Sequence, residues 1–298
     1  MLLVTGLTGK TGRCFLRKLE EEGYPEPIRA VVRPTSDVSC LEQSPLAIER
    51  VSGDLTDPEF LSRAVEGVDT VLHIANIRYS LGLTRAALGQ GVSRLILVHT
   101  TGIYSKFKRA SAEYLEIEQE LEQLTANQPV SVTILRPTMI YGGVDDGNIA
   151  VFLRMVDKLR LFPAVGGGRF ALQPVHREDL AQAYLDVLTH PDQTAGKIYD
   201  LSGSYPIDLI DILQEMSRLL GKKTRFVTVP FGLTYFGAVC LYGVSFGRVD
   251  IREKVQRLVE PRAYPHDQAA ADFGYSPMDF REGLAREVEE YLRCKRSE

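Results

Sequence analysis

Short apolar runs alternate with longer, helix-compatible segments through the first half of this 298-residue chain. The apolar runs predict strands at 2–5, 28–32, 48–52, 70–74, 94–99 and 132–135. The segments between them predict helices near 12–22, 58–66, 80–90 and 110–124. Strands that alternate with helices are typical of βαβ units, so the pattern predicts an α/β fold with a parallel sheet.

The first predicted strand ends in a glycine-rich turn with the sequence Thr5-Gly6-Leu7-Thr8-Gly9-Lys10-Thr11-Gly12. Gly6 can adopt backbone angles that other residues avoid, Gly9 lets the main chain approach a ligand, and Gly12 lets the following helix pack against the strand. The N-terminus of that helix offers unpaired N–H groups and a partial positive charge to a diphosphate. Three glycines can also form an ordinary tight turn, but their place between a strand and a helix favours a dinucleotide site.

Beyond Tyr141 the pattern changes to longer amphipathic segments, which predict helices at 149–159, 179–188, 209–220 and 279–292. Together with the glycine turn, this predicts a Rossmann-type, doubly wound parallel sheet in residues 1–145 and a smaller, mainly helical lobe in 146–298. The lobe is expected to bind substrate over the carboxyl edge of the sheet, where open α/β folds bind their ligands. Residues 171–201 are expected to rejoin the sheet domain.

The composition narrows the possible functional classes. Hydrophobic residues at 44% and charged residues at 25% are typical of a globular protein, and the net charge of −4 gives no reason to expect nucleic acid as a partner. The four cysteines lie far apart without metal-ligand spacing, so we predict no metal site, reduced thiols and a cytoplasmic location. Met1 leads directly into the first predicted strand, so no signal peptide is predicted.

One segment, residues 226–247, contains no charged side chain and is bordered by Arg225 and Arg248. Its length would allow a membrane span, but Pro230 and several glycines interrupt it. The alternatives are an interfacial or partner-binding helix and a buried helix that lines a substrate cleft. We favour the buried helix and keep a weak membrane or protein contact as the alternative.

Several segments beyond the glycine turn resemble the short-chain dehydrogenase/reductase superfamily, in its extended or atypical branch. They are Leu135-Arg136-Pro137-Thr138-Met139-Ile140-Tyr141-Gly142, Gln173-Pro174-Val175-His176 and Asp272-Phe273-Gly274-Tyr275-Ser276-Pro277. The combination is similar to epimerase/dehydratase-like proteins, NmrA-like proteins and accessory-subunit-like proteins of respiratory complex I. The resemblance implies NAD(P) binding strongly and turnover less strongly. It also implies that Asp179 caps a helix.

The resemblance implies a set of cofactor contacts. Arg33, at the end of the second strand, offers a guanidinium to the 2′-phosphate of NADP, and Lys10 adds a second cation, so NADP is expected over NAD. The alternative for Arg33 is a solvated loop residue. Asp54 would accept from the adenine amine, or else would cap the helix near Pro58. The remaining expected cofactor contacts are Gly6, Thr8, Gly9, Thr11, Gly12, Leu55, Ala75, Asn76, Thr100, Pro137, Thr138 and Met139.

Active members of the superfamily use a Ser or Thr after the fifth strand and a Tyr-x-x-x-Lys pair on the next helix. In this chain Thr101 supplies the hydroxyl and Tyr114 the phenol as the expected catalytic residues, but Glu118 stands at the lysine position. The lysine lowers the pKa of the tyrosine, whereas a carboxylate would raise it. In a second register Glu118 matches a glutamate four residues beyond the family lysine, and Tyr114 takes the lysine position. Both registers lack the lysine.

Tyr104, Arg169, His176 and Arg262 are the expected substrate contacts, and the two arginines would clamp an anion such as a nucleotide diphosphate. Each has a structural alternative: Tyr104 as a packing residue, His176 as a hydrogen-bonded core residue, and the arginines as surface residues. We therefore expect a reductase or an epimerase-like enzyme for a small substrate such as a nucleotide sugar. The alternative function is a non-catalytic NADP(H) sensor or assembly protein. A homodimer is expected by analogy, through the helix that carries Tyr114.

Overall fold

The computed structural model describes residues 1–107 and 109–297. In chain order its strands are β1 (Leu2–Thr5), β2 (Ile28–Val32), β3 (Ile48–Ser52), β4 (Thr70–His73), β5 (Arg94–Val98), β6 (Ser131–Pro137), β7 (Ile140–Tyr141), β8 (Leu161–Val165), β9 (Ala171–Leu172), β10 (Val175–His176), β11 (Ile198–Leu201), β12 (Ile207–Asp208) and β13 (Arg225–Val229). Its helices are α1 (Lys10–Glu21), α2 (Ser39–Glu42), α3 (Pro58–Ala64), α4 (Ser80–Gly89), α5 (Ala110–Thr125), α6 (Ile149–Lys158), α7 (Arg177–Thr189), α8 (Pro191–Thr194), α9 (Leu209–Leu219), α10 (Phe231–Val244), α11 (Arg252–Leu258), α12 (Asp267–Phe273) and α13 (Phe280–Ser297). Short 3₁₀ turns lie at Ile77–Tyr79, Thr101–Tyr104 and Gly166–Gly168.

A parallel sheet of seven strands forms the centre of the described chain, in the order β11-β6-β5-β4-β1-β2-β3. The order reverses between β1 and β4, and in open α/β sheets the crevice at such a point binds ligands. This topology confirms the predicted Rossmann-type sheet. The edge strand β11 has no counterpart among the predicted strands. It pairs with β6, and α7 packs against α1, so residues 177–201 lie with the sheet.

Helices cover both faces of the sheet, which explains why its strands are apolar on both sides. On one face, α1 and α7 bury Phe15 and Tyr184 against the strands, with ring centroids 6.1 Å apart. On the other face, α3, α4 and α5 bury Phe60, Leu83 and Leu121. The two layers hold the carboxyl ends of the strands in place, and the candidate site lies at these ends.

The smaller lobe has its own apolar core between α6, α9 and α13, where Leu153, Leu213 and Leu284 are fully buried. Short strand pairs border this core, β8 with β13 and β9 with β12. The segment after α11 returns to the sheet domain, because the carboxylate of Glu260 accepts a hydrogen bond from Ser105 Oγ at 2.7 Å. The lobe thereby reaches the carboxyl edge of the sheet.

Helix α10 corrects the prediction for residues 226–247. Leu233, Phe236 and Val244 are 63%, 65% and 80% exposed, and Ala238 is the residue that the helix buries. The favoured prediction of a buried helix lining the substrate cleft is therefore wrong. The cleft is closed instead by α11 and the segment after it, so α10 is left on the outside. In the part of the chain that the structure describes, no helix is long and apolar enough to cross a membrane.

Candidate dinucleotide and substrate site

The glycine turn forms a closely packed link between β1 and α1. Gly6 has a φ of +79°, and a Cβ there would lie 3.0 Å from Ala75 N. A Cβ on Gly12 would lie 2.2 Å from Gly6 O, so a larger residue cannot stand there unless the backbone moves. The first intrahelical bond runs from Arg13 N to Gly9 O at 2.8 Å, so the amides before it point out of the helix end. This arrangement fits a diphosphate.

A cavity of about 350 Å³ lies at the carboxyl ends of β4, β5 and β6 beside the start of α1, and we call it the sheet-edge groove. Its lining contains five of the expected cofactor contacts and the expected catalytic Tyr114. The lining residues are Thr11, Ile74, Ala75, Asn76, Ile77, Val98, His99, Thr100, Tyr114, Pro137, Ile140 and Tyr184. The groove runs across the point where the strand order reverses, which is where dinucleotides bind in this type of sheet.

A buried chain of hydrogen bonds lies behind the groove. His99 Nδ1 is 2.9 Å from Glu118 Oε1, and His99 Nε2 is 3.1 Å from Ser80 Oγ. Glu118 also accepts two hydrogen bonds from the guanidinium of Arg136 on β6. Burial by itself would raise the pKa of Glu118, but the bonds from His99 and Arg136 hold it below its ordinary value. Burial also lowers the pKa of His99, so its imidazole is neutral near pH 7.

The contacts of Glu118 bear on the two registers for the catalytic helix. Its carboxylate joins α5 to β5 and β6, so it does not stand in for a lysine in the groove. This favours the second register, in which Tyr114 takes the place of the family lysine. The place of the family tyrosine, four residues earlier, is then held by Ala110.

A second cavity, of about 300 Å³, shares two wall residues with the groove, and we call it the arginine pocket. Its lining residues are Thr100, Thr101, Gly102, Ser105, Thr138, Met139, Ile140, Asn148, Arg257, Arg262 and Tyr264. The Nε atoms of Arg257 and Arg262 are buried without a hydrogen-bond partner in the described chain. Burial lowers the pKa of Arg262, and the charge of Arg257 lowers it further. Both side chains are half-buried with their Nε atoms enclosed, and two like charges placed in this way would be stabilised by a bound anion.

The two expected catalytic side chains line these neighbouring cavities. Thr101 lies in the arginine pocket, and its hydroxyl donates to Pro137 O at 3.2 Å. Tyr114 lines the sheet-edge groove, where the guanidinium carbon of Arg78 lies 5.4 Å from its ring centroid. A substrate group at the boundary can therefore meet Thr101 on one side and the groove on the other.

The sequence of this chain is similar to that of known proteins. The model of the NAD(P)H-binding family matches residues 6–191. The chain belongs to the NAD(P)H-binding family. A 2-alkyl-3-oxoalkanoate reductase from Stenotrophomonas maltophilia is 25% identical to it, over 96% of this chain and 97% of that protein. The mitochondrial NADH dehydrogenase (ubiquinone) 1 alpha subcomplex subunit 9 of Arabidopsis thaliana is 28% identical, over 72% of this chain and 51% of that protein.

A solved structure shows the same fold. The dTDP-glucose 4,6-dehydratase DesIV from Streptomyces venezuelae, with NAD and TYD bound, has a TM-score of 0.74 and 21% identity and covers 99% of this chain and 98% of its own. The fold of this NAD(P)H-binding protein is thus that of the epimerase/dehydratase-like members of the short-chain dehydrogenase/reductase superfamily, as the sequence predicts.

The two cations expected near the 2′-phosphate have different surroundings in this NAD(P)H-binding protein. Arg33 is exposed after β2, and no other described residue holds its guanidinium. Lys10 lies 3.2 Å from a carboxylate oxygen of Asp145. Lys10 and Thr8 line a separate cavity, between α1, α2 and the loop after β7, rather than the sheet-edge groove. Of these two cations, Arg33 is therefore the one without an ion-pair partner in the described chain.

Asp54 and Leu55 lie in the turn after β3. Asp54 accepts from Thr56 N at 2.9 Å, and Leu55 is half-buried against the sheet core. The cap of α3 is Asp57, whose carboxylate accepts from Glu59 N. The capping alternative for Asp54 is therefore wrong, because Asp57 immediately precedes the helix and has the geometry of an N-cap.

His176 is held within the fold at the start of α7 and lines neither the sheet-edge groove nor the arginine pocket. It is the N-cap of α7, where its Nδ1 accepts from Glu178 N at 3.3 Å, and its ring packs edge-on against Tyr141. Burial lowers its pKa to about 4. The expected cap, Asp179, lies in the first turn, and its carboxylate accepts from Met278 N at 3.2 Å. The prediction for Asp179 is corrected because the helix begins two residues earlier than predicted.

Two further expected substrate contacts lie outside the pocket. The hydroxyl of Tyr104 donates to Asp200 at 3.1 Å and accepts from Arg136 at 2.6 Å, so it is held between two charges. The ring of Tyr104 packs on Tyr264, with centroids 5.0 Å apart, and thus supports the pocket wall from behind. Arg169 is exposed beyond the Gly166–Gly168 turn. Of the four expected contacts, Arg262 lines the arginine pocket.

The sequence reasoning missed Arg257 and Tyr264. Arg257 lies in α11, whose charged residues resemble a solvated helix surface, so the sequence carries no signal that one of them faces a cavity. Tyr264 follows Arg262 by two residues in a segment without regular structure. The one usable signal is the nearby Arg262, which the sequence reasoning had selected.

Proposed function

We propose that this protein is an NADP(H)-dependent reductase of the short-chain dehydrogenase/reductase type that acts on the carbonyl group of an anionic substrate. The observation that carries the proposal is the pair Arg257 and Arg262, whose Nε atoms lie buried and unpaired next to the sheet-edge groove. A buried N–H without a partner costs stability, and a bound carboxylate or phosphate would supply the missing acceptor.

The preference for NADP over NAD rests on Arg33. An acidic residue at the end of β2 would favour the free 2′-hydroxyl of NAD, whereas the exposed guanidinium of Arg33 can pair with a 2′-phosphate. Lys10 contributes less than the sequence suggests, since Asp145 holds its ammonium. Arg33 is therefore the main determinant of cofactor choice in this proposal.

The boundary between the two cavities is the proposed place of the substrate carbonyl. Bound NADPH would supply a hydride to the carbonyl carbon from the sheet-edge groove, and a proton from solvent would convert the resulting alkoxide to the alcohol. Thr101 would hold the carbonyl oxygen, which requires its hydroxyl to turn from Pro137 O toward the substrate. Tyr114 would contact the cofactor side of the boundary. The anionic group of the substrate would lie on Arg257 and Arg262.

The proposed substrate class follows from the distance between the place of the carbonyl group and the two arginines. The carbonyl and the anionic group must be close together, because both fit within one cavity of about 300 Å³ and its mouth. A 3-oxo acid has this arrangement, and the name of the Stenotrophomonas relative describes the reduction of such a compound. We therefore propose 3-oxo acids as the first class to test, with nucleotide sugars as the second.

The deciding experiment compares acids with their esters. Oxidation of NADPH is followed by its absorbance with a panel of 3-oxo acids, the matching methyl esters and nucleotide sugars. We expect turnover of the acids and much slower turnover of the esters, because an ester has no charge for the arginines to bind. Equal rates for acid and ester would contradict the proposal.

A second candidate function, NADP(H) binding without turnover, is supported by the missing Tyr-x-x-x-Lys lysine and by the bond that occupies Thr101. The Arabidopsis relative is named as a subunit of a larger complex. Under this function NADPH would bind, and none of the panel would be reduced. The same assay therefore separates the two.

A cytoplasmic location is part of the proposal. Cys14, Cys40, Cys240 and Cys294 are all free, which is typical of proteins in a reducing compartment. Fractionation of cells that express the tagged chain would test it.

A further inference from the structure

Helix α10 presents an apolar face to solvent along its whole length. Leu233, Phe236, Cys240 and Val244 lie three or four positions apart on this face, and all are exposed. Phe246, just beyond the helix, is 94% exposed. We call these five residues the α10 face. Exposed apolar residues in one contiguous patch mark a contact surface, whereas scattered ones do not.

The opposite side of α10 is attached to the protein. Ala238 is buried, and the guanidinium carbon of Arg252 lies 3.8 Å from the ring centroid of Tyr242. Arg252 is held in turn by an ion pair with Asp250. Phe246 has a φ of +51°, a region that residues with side chains rarely occupy. The chain therefore accepts backbone strain at the point where it holds this ring outward.

The length of α10 decides how it could meet a bilayer. Its 14 residues extend about 21 Å, whereas the hydrocarbon core of a bilayer is about 30 Å thick. The helix is thus too short to cross. A helix with one apolar side and its other side attached to a folded domain can lie in the plane of the interface.

A basic groove lies at the start of β13, the strand that leads into α10. It is a cavity of about 670 Å³, and we define it by the five basic residues in its lining, Lys158, Arg160, Lys222, Lys223 and Arg225. The acidic residue of the lining, Asp157, already pairs with Lys222 and Lys295. The groove therefore has an excess of positive charge in a chain whose net charge is −4.

The groove and the α10 face are connected along one surface. Arg225 begins β13, which leads through Pro230 directly into α10. Leu161 and Val227, on the paired strands between the two regions, are 58% and 44% exposed. Cationic and apolar side chains thus follow one another on the outside of the lobe, and Arg248 adds a cation at the far end of the α10 face.

We propose that the α10 face and the basic groove dock this protein on the surface of an anionic lipid bilayer. The apolar side chains enter the boundary between headgroups and acyl chains, and the basic residues pair with anionic headgroups. A local positive charge on an acidic protein also orients it, because the rest of the surface is repelled. α11, which packs against α10, carries Arg257, so docking would hold the arginine pocket close to the bilayer.

The test uses the full chain with NADPH present and vesicles of phosphatidylcholine, with and without phosphatidylglycerol, in a flotation assay. We expect binding to the anionic vesicles. Phe236→Ser with Val244→Ser should weaken this binding about tenfold or more, since each apolar side chain that enters the bilayer contributes to the binding free energy. Arg160→Glu with Lys223→Glu should weaken it at least about fivefold per lost cation, and added salt should act in the same direction. Leu115→Ser, a matched change at an exposed leucine on α5, should have no effect.

Three results would overturn the proposal. The first is no binding to either vesicle, and the second is equal binding to neutral and anionic vesicles. The third is self-association in light scattering that Phe236→Ser with Val244→Ser abolishes while vesicles are ignored, which would assign the α10 face to a second copy of the chain. The readout is independent of turnover, so a failed reductase assay leaves this test intact.

Discussion

The central sheet and the carboxyl-terminal lobe differ in whether their enclosed charged groups have partners. In the sheet, Glu118 is paired with Arg136 and bonded to His99, so the buried carboxylate has opposite charge and donors around it. In the lobe, Arg257 and Arg262 lie beside each other, and their Nε atoms have no partner in the described chain.

Glu287 is a further buried ionisable group, and one of its oxygens lacks a partner in the described chain. It is 1% exposed and accepts from Gly142 N, but its other oxygen and Asp146 Oδ2 are buried without a donor. Burial raises the pKa of Glu287 to about 9, and the neighbouring Asp146 adds to the shift. A proton on Glu287 supplies the missing donor. A paired buried charge holds elements together, whereas an unpaired buried carboxylate favours a proton, and the unpaired arginines are the proposed site for an anionic ligand.

The largest expected effect is the loss of the paired charge. Glu118→Ala leaves Arg136 and His99 buried without their acceptor, so we expect the free energy of unfolding to fall by about 3–5 kcal/mol. Urea denaturation measures it. Glu118→Gln keeps one acceptor oxygen, which can still bond to His99 and Arg136 Nε, and should lose less. Glu116→Ala, at an exposed position on the same helix, should have little effect. A similar loss at both positions would remove the contrast.

The next effect concerns pH. The pKa of Glu287 is raised from 4.5 to about 9, so its stabilising contribution is full below pH 4.5 and is lost as the pH rises toward 9. Glu287→Gln keeps the shape and supplies the donor at every pH. We expect the variant to gain about 3–4 kcal/mol relative to the parent between about pH 5 and pH 8. Thermal unfolding across this range measures the difference.

The stabilising contribution of Glu118 changes with pH in the opposite direction to that of Glu287. Its pKa is lowered, so its contribution is full above its ordinary value of 4.5 and is lost as the pH falls further. Glu118→Gln should therefore change the acid side of the stability profile and Glu287→Gln the alkaline side. Shifts on the same side would break the comparison between the two regions.

The third effect tests the unpaired arginines. Arg257→Met removes a half-buried charge whose Nε lacks a partner, so stability should hold or rise, while the KM for a 3-oxo acid should increase about 10- to 100-fold. NADPH affinity should be unchanged. Arg169→Met, at the exposed arginine that the sequence also selected, is the matched control and should alter neither constant. A loss of stability in Arg257→Met would assign the residue to the fold.

The smallest effect concerns the exposed cation of the sheet domain. Arg33→Glu should weaken NADPH binding about tenfold, because one charge-assisted bond to the 2′-phosphate is lost. NADH binding should change little. Isothermal titration with both cofactors measures this, with Arg63→Glu as an exposed control on α3. Equal losses for NADPH and NADH would contradict the role of Arg33.

Local patterns were sufficient for six of the seven strands of the sheet. The first three predicted strands have the bounds that the structure shows, and the glycine turn lies between β1 and α1 as predicted. β11 was missed because its pairing partner β6 lies far away in the chain, and a four-residue run alone does not reveal an edge strand. The helix α10 was misplaced because an uncharged segment fits a core and a contact surface equally well.

By itself the sequence determined the nucleotide-binding turn, since the bounds of β1 and the three glycines follow from neighbouring residues. It also indicated Arg33 as a cofactor contact and Arg262 as a substrate contact. Only the tertiary structure decided that Arg257 joins Arg262, that His176 caps a helix and that Glu118 pairs with Arg136. The physical reason is that backbone conformation responds to nearest neighbours, whereas the pairing of a buried charge depends on which distant segment packs against it.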